Sequence, residues 1–183
     1  MFSYYTEPRV VRNFITREEC EYLMNPDIGI YNDSTIGSNG SLNNKIRKSK
    51  SISFHDVNHP VINDIRSRVS KLTGTPLCKI ELLQISKYET GGFYRPHFDS
   101  TLPSPYRPYT MLIYLNDDYE GGETYFPKLK KKYKLNRCDA LLFSNHDSSG
   151  NVADKSMHSG ELVTKGEKWI CTVWINKNNV ELL

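Results

Sequence analysis

The sequence predicts an α+β protein, with a helical N-terminal layer over about residues 1–75 and strands over about 76–183 that build a β-sandwich or jelly roll. Val61, Ile62, Ile65, Val69 and Leu72 recur at helical spacing, which sets one face of a helix against a core. After Pro76 the texture changes to short β-prone runs separated by turns, and it stays so to the C-terminal end.

In chain order, Thr16 followed by Glu19 is a capping-box pattern, so the run behind it is read as a short helix packed on the outside of something larger. Residues 25–50 are rich in Asn, Ser, Gly, Asp and Lys and are read as a long irregular or partly mobile segment. Its basic end, K-I-R-K-S-K, invites a nucleic-acid reading. The run is short and holds no aromatic stacking residue, so a solvated loop is preferred. The helix over 60–73 is expected to stop at Gly74, and strands are expected over 80–88, 109–115, 140–144 and 168–175. In the last strand, period two puts Lys168, Ile170, Thr172 and Trp174 on one face, with Trp169, Cys171 and Val173 on the other. A lysine on an otherwise apolar interior face calls for a carboxylate partner.

A chain of 183 residues has the length of one domain and can bury a core without staples. Its 38% hydrophobic and 25% charged residues are ordinary for a globular protein, and a net charge of +3 demands no polyanionic partner. Apolar runs such as 111–115 are too short to cross a bilayer, so no membrane role is expected. The N-terminus has neither the basic nor the apolar region of a secretory signal, and an intracellular, reducing location follows as an expectation. The 4 cysteines, Cys20, Cys78, Cys138 and Cys171, form no C-x-x-C pair and are expected as free thiols.

The chemistry centres on Y-E-T-G-G-F-Y-R-P-H-F-D, Tyr88 onward, where His97 and Asp99 stand two apart and so share a face of an extended segment. A third ligand is available in His158 of M-H-S-G-E-L, with Lys168 ten residues later. Two histidines and one carboxylate with the other positions open make the facial triad of non-haem iron(II) oxygenases. His55, His59 and His146 are read as surface or satisfied core residues, and the Gly91-Gly92 and Gly121-Gly122 pairs as turn devices, since no helix signal follows either pair.

With these residues in hand, the chain resembles the prolyl 4-hydroxylases of the 2-oxoglutarate and iron(II)-dependent dioxygenase superfamily. The matching stretches are L-Q-I-S-K-Y-E-T-G-G-F-Y-R-P-H-F-D, R-P-Y-T-M-L-I-Y-L-N-D, Y-E-G-G-E-T-Y-F-P, D-A-L-L-F, and H-S-G with G-E-K-W-I-C-T-V-W-I. The resemblance implies a double-stranded β-helix (jelly roll) core with N-terminal flanking helices, as a minimal catalytic unit of algal, bacterial or viral type. It implies iron ligation by His97, Asp99 and His158, and a partnership of Lys168 with the distal carboxylate of 2-oxoglutarate. Tyr88 and Thr124 resemble that co-substrate's hydrogen-bonding partners, and Leu112 and Tyr114, on one strand face, could line its pocket. Tyr94, Arg107 and Trp174 resemble residues that meet the polypeptide substrate. The implied reaction consumes O2 and 2-oxoglutarate, releases succinate and carbon dioxide, and hydroxylates C4 of proline in a proline-rich or collagen-like chain, with ascorbate as reductant.

Competing readings are a lysyl or nucleic-acid oxygenase of the same superfamily, the latter prompted by the basic stretches at 45–50 and 128–134, and a non-catalytic module for proline-rich peptides. An intact triad and lysine speak against the module. The abundance of Asn, Lys, Ile and Tyr fits an AT-rich genome such as that of a virus.

Overall fold

The computed structural model describes residues 4–36, 41–54, 59–101 and 106–180, so His55 lies outside the described residues. From the N-terminus the elements are β1 (Arg9–Val11), α1 (Arg17–Met24), β2 (Asn32–Asp33), β3 (Arg47–Lys48), β4 (Lys50–Ser53), α2 (Pro60–Thr73), β5 (Gln84–Tyr88) and β6 (Phe93–His97). They continue as β7 (Tyr109–Tyr114), β8 (Glu120–Gly121), β9 (Thr124–Phe126), β10 (Lys131–Tyr133), β11 (Ala140–Ser144), β12 (His158–Gly160), β13 (Val163–Lys165) and β14 (Lys168–Ile175).

Both helices form where local chemistry asks for them. The Thr16 hydroxyl accepts the Glu19 N–H at 3.2 Å and the Glu19 carboxylate accepts the Thr16 N–H at 2.8 Å, closing the capping box. Replacing Thr16 with Ala is expected to cost about 1 kcal/mol of stability in urea titration. Glu19 also pairs with Arg68 of α2, so Glu19→Ala is expected to cost more than Thr16→Ala. In α2, Pro60 occupies the first turn, and Gly74 ends the helix in the left-handed region at φ 67°.

All strand pairings are antiparallel. Seven strands run β1-β11-β7-β14-β5-β4-β2, and five run β10-β9-β12-β6-β3, with β13-β8 as a short separate pair. The arrangement is the jelly roll of an α+β protein. The main core lies on the helix side of the larger sheet, where Cys20 and Leu23 of α1 and Ile62, Ile65 and Val69 of α2 join Ile85, Met111, Ile113, Cys171 and Val173. A second cluster, with Leu112, Tyr114, Phe126, Leu141, Phe143 and Ile170, fills the space between the larger and smaller sheets.

Three regions differ from the sequence expectation. The N-terminal layer read as helical also carries strands of the larger sheet, β1 paired with β11 and β4 with β5. The 25–50 segment contributes β2 and β3, and β3 and β2 are the outer strands of the two sheets. Edge strands this short, Asn32-Asp33 and Arg47-Lys48, are polar throughout and carry no apolar alternation that separates them from loop. The strand expected from residue 80 starts at Gln84, because residues 77–79 turn as a 3-10 helix and Ile80 makes only an isolated bridge to Ile175. All 4 cysteines are free. Among the described residues no helix is long and apolar enough to cross a membrane.

Candidate active site

Strand pairing brings the distant histidines together. β12 runs antiparallel to β6 with His158 as the cross-strand partner of His97, and Asp99 follows two residues after His97. Their ring centroids lie 4.4 Å apart. His97 Nε2 is 3.5 Å from one carboxylate oxygen of Asp99, and His158 Nε2 is 3.7 Å from the other.

Each ring is aimed by its own backbone. His97 Nδ1 meets the carbonyl of Arg95 at 2.8 Å and His158 Nδ1 meets that of Ser156 at 2.9 Å. A carbonyl can only accept, so both Nδ1 atoms carry a proton and both Nε2 atoms are turned toward Asp99. Burial, reinforced by His97, pulls the His158 pKa down to about 4, which keeps this ring neutral near pH 7. For Asp99, burial opposes ionisation, but His158, His97 and the Thr110 hydroxyl outweigh it and hold the carboxyl below the usual range.

Neutral imidazole nitrogens and a carboxylate suit a divalent metal of the iron group. Ligands at ~2.1 Å on adjacent corners of an octahedron stand roughly 3 Å apart, and these three side chains each offer an atom within 4.8 Å of the others, so a modest inward closure would seat an ion here. Among the described residues these three are the only such group.

The pocket beside them is walled by Tyr88, Leu112, Thr124, Ile170, Thr172 and Trp174, with Lys168 also on its lining. All four residues assigned to the inner face of β14 therefore line it. Lys168 is 3% exposed, and its ammonium donates to the Gly122 carbonyl at 2.8 Å between the rings of Tyr88 and Tyr114, 5.6 and 5.7 Å away. Gly121 and Gly122 both turn at positive φ, 69° and 67°, and a Cβ on Gly121 would meet the Leu162 carbonyl at 2.3 Å. Among the described residues no carboxylate forms an ion pair with Lys168. Burial pulls its pKa down to about 8, with Glu123 opposing. An ammonium enclosed like this, without an anion, is costly, and the pocket in front of it fits an anionic ligand such as an oxo acid.

The other sequence-assigned residues divide by position. Tyr114 is fully buried and stands behind the wall, its hydroxyl 2.8 Å from the Thr124 hydroxyl. Tyr94 lines the pocket and stacks on His97, with ring centroids 3.6 Å apart. Arg107 does not line it. Its guanidinium forks onto Glu81 at 2.8 and 2.7 Å and lies 4.0 Å over the Trp174 ring, backing that ring from outside the pocket. His146 is a satisfied buried residue, bonded to the Ser100 hydroxyl at 2.8 Å.

Sequence reasoning missed Arg47. It sits in the basic stretch taken for a solvated loop, yet it is 8% exposed, lines the pocket and lies 4.7 Å over the Tyr94 ring. Its guanidinium is fixed by Ser49, Ser86 and the Thr35 carbonyl. Composition carried no signal for it, because only the pairing of Arg47 with Tyr94 across β3 and β6 brings it inside.

Residues 83–176 match the family described as the 2OG-Fe(II) oxygenase superfamily. Prolyl 4-hydroxylase 1 of Arabidopsis thaliana is 32% identical over 93% of this chain and 69% of its own length. A protein of Acanthamoeba polyphaga mimivirus, provisionally named a prolyl 4-hydroxylase, is 32% identical over 94% of this chain and 75% of its own. The crystal structure of the viral collagen prolyl hydroxylase of Paramecium Bursaria Chlorella virus-1, in its 2OG complex, superposes with a TM-score of 0.73 at 28% identity, covering 92% of this chain and 94% of that one. A Pseudomonas putida prolyl-4-hydroxylase, at 15% identity and a TM-score of 0.67, shares the fold.

Proposed function

Since the chain belongs to the 2OG-Fe(II) oxygenase superfamily and has prolyl 4-hydroxylases as its relatives, we propose that it hydroxylates C4 of peptidyl-proline in proline-rich or collagen-like chains, as a single catalytic domain. It is an oxidoreductase that uses iron(II), O2 and 2-oxoglutarate, releasing succinate and carbon dioxide. The observation that carries this reading is one pocket holding both the convergent His97, Asp99 and His158 and the unpaired ammonium of Lys168.

His97, Asp99 and His158 would hold the iron. Iron, when bound, supplies the redox chemistry that couples oxidation of the 2-oxo acid to oxygen insertion into a C–H bond. Lys168 takes the distal carboxylate, the hydroxyls of Thr124 and Tyr88 serve as its hydrogen-bonding neighbours, and Leu112 and Ile170 press on the chain between. Tyr114 fixes the Thr124 hydroxyl from behind. Trp174 offers an aromatic face to an extended proline-rich segment, with Arg107 backing its ring, while Tyr94, stacked on His97 and covered by Arg47, presents its edge. The protein's task is position, because a strong oxidant attacks the nearest carbon. Ascorbate is the reductant that would return idle enzyme to the ferrous state. The two viral relatives support a virus-encoded origin.

Incubating a proline-rich peptide with the protein, iron(II), 2-oxoglutarate and ascorbate should add one oxygen atom to proline, seen by tandem mass spectrometry. Succinate without oxygen on any peptide would redirect the search to another substrate. Of the five lysines in the basic stretch at 128–134, three are engaged within the protein, Lys131 with Glu7, Lys132 with Glu161 and Lys134 with the Tyr119 carbonyl.

A further inference from the structure

The carboxylate of Asp99 is restrained from a side that none of the roles above accounts for. Thr110, on the same face of β7 as Leu112 and Tyr114, donates its hydroxyl to Asp99 Oδ2 at 2.8 Å. Asn145, just beyond β11, donates its side-chain amide to Thr110 Oγ1 at 2.9 Å and to the Arg107 carbonyl at 3.0 Å. Thr110 and Asn145 are both 0% exposed.

The polarity of this chain is fixed at both ends. The Arg107 carbonyl can only accept, so it must face the NH2 side of the Asn145 amide. That places a second amide hydrogen on Thr110 Oγ1 and leaves the threonine's own hydrogen for Asp99. The backbone of Asn145 is held as well, by N–H donation to the Pro108 carbonyl at 2.8 Å and by accepting from Ala153 N–H at 2.9 Å. A parallel tie runs from the next residue of each segment, His146 to Ser100 at 2.8 Å. The consecutive pair Asn145-His146 thus grips the consecutive pair Asp99-Ser100.

Resting on the proposed metal site, we infer that Thr110, oriented by Asn145, is a positioning residue that holds Oδ2 of Asp99, the oxygen nearer His158, and so biases the metal toward Oδ1, the oxygen nearer His97. The consequence is a count of coordination positions. An octahedral ion with three protein donors has three places left, enough for a bidentate oxo acid and one oxygen molecule. Were Asp99 to chelate through both oxygens, one of those places would be lost. Carboxylates that ligate metals are themselves held by outer hydrogen bonds, and loss of such a bond weakens metal binding by roughly 10–100-fold.

The test is calorimetric titration of cobalt(II) into purified protein without oxo acid, with the visible spectrum of the cobalt form recorded alongside. Thr110→Val keeps the shape and removes the hydroxyl. It should lower cobalt affinity by about 10–100-fold and change the cobalt spectrum, while Thr110→Ser should restore both. Melting of the metal-free variants is followed in parallel. A Val variant that melts earlier yet binds cobalt with unchanged affinity and spectrum would overturn the proposal, leaving Thr110 a structural role only. Failure of the unaltered protein to bind cobalt would remove the site reading itself, and this inference with it.

Discussion

Replacing His158 with Gln should abolish both metal binding and succinate formation, with a loss well beyond the roughly 10–100-fold that removal of an outer hydrogen bond costs. His158 packs between Phe126 and Phe143, with ring centroids 5.4 and 4.8 Å away, so alanine there would open a cavity and confuse loss of ligand with loss of packing. Glutamine keeps the volume and removes the directed ring nitrogen. The matching control is His59→Gln, whose ring stacks on Tyr22 at 4.6 Å in the helical layer and should leave turnover unchanged. His146 is a poorer control than its satisfied, buried state suggests, because it braces the residue next to Asp99. The measurement is succinate release with metal content determined on the same samples; a His158→Gln protein that retains its iron and turns over would remove this residue from the ligand set.

Lys168→Met should do two opposite things. Affinity for 2-oxoglutarate should fall by about 3 kcal/mol, roughly 100-fold, because the distal carboxylate loses its buried partner. The ligand-free protein should become more stable by about 1–3 kcal/mol, because methionine fills the same space without burying a charge. The pH dependence separates the two effects. Burial holds the Lys168 pKa near 8 in the free protein, below its usual 10.5. Below pH 8 the ammonium is charged in folded and unfolded states alike, and the full burial cost is present. Between pH 8 and 10.5 the unfolded chain binds more protons than the folded one, so stability rises with pH and the advantage of the methionine variant shrinks. Oxo-acid affinity runs the other way and weakens as pH climbs through 8, since the anion requires the charged form. Calorimetric titration across pH 7 to 9.5 checks both, and a pH-independent affinity would mean the carboxylate is anchored elsewhere.

Sequence made some of this legible and hid the rest, for physical reasons. β14 is long, apolar and buried on both faces apart from the half-buried Trp169 and Trp174, so it could be read directly as a strand, and Lys168, Ile170, Thr172 and Trp174 all line the pocket. The two helices declared themselves through a capping box and a terminal glycine. The pairing of His158 with His97 could not be read from periodicity, because β12 is only 3 residues long and β6 contains Pro96. Motif spacing supplied the ligand set instead. Arg47 stayed hidden because its flanking lysines and serines are those of an exposed edge, and only a cross-strand neighbour turns it inward. Glu81 and Asn145 act through other side chains, Arg107 and Thr110, and nothing in their local sequence announces such a partner.

The most direct measurement is a crystal structure of the protein grown without oxygen in the presence of manganese(II) and 2-oxoglutarate. The expected result is one ion at ~2.1–2.3 Å from His97 Nε2, His158 Nε2 and a single Asp99 oxygen, with the distal carboxylate of the oxo acid on Lys168 Nζ. An ion bound away from these three side chains, or an oxo acid whose distal carboxylate avoids Lys168, would contradict it.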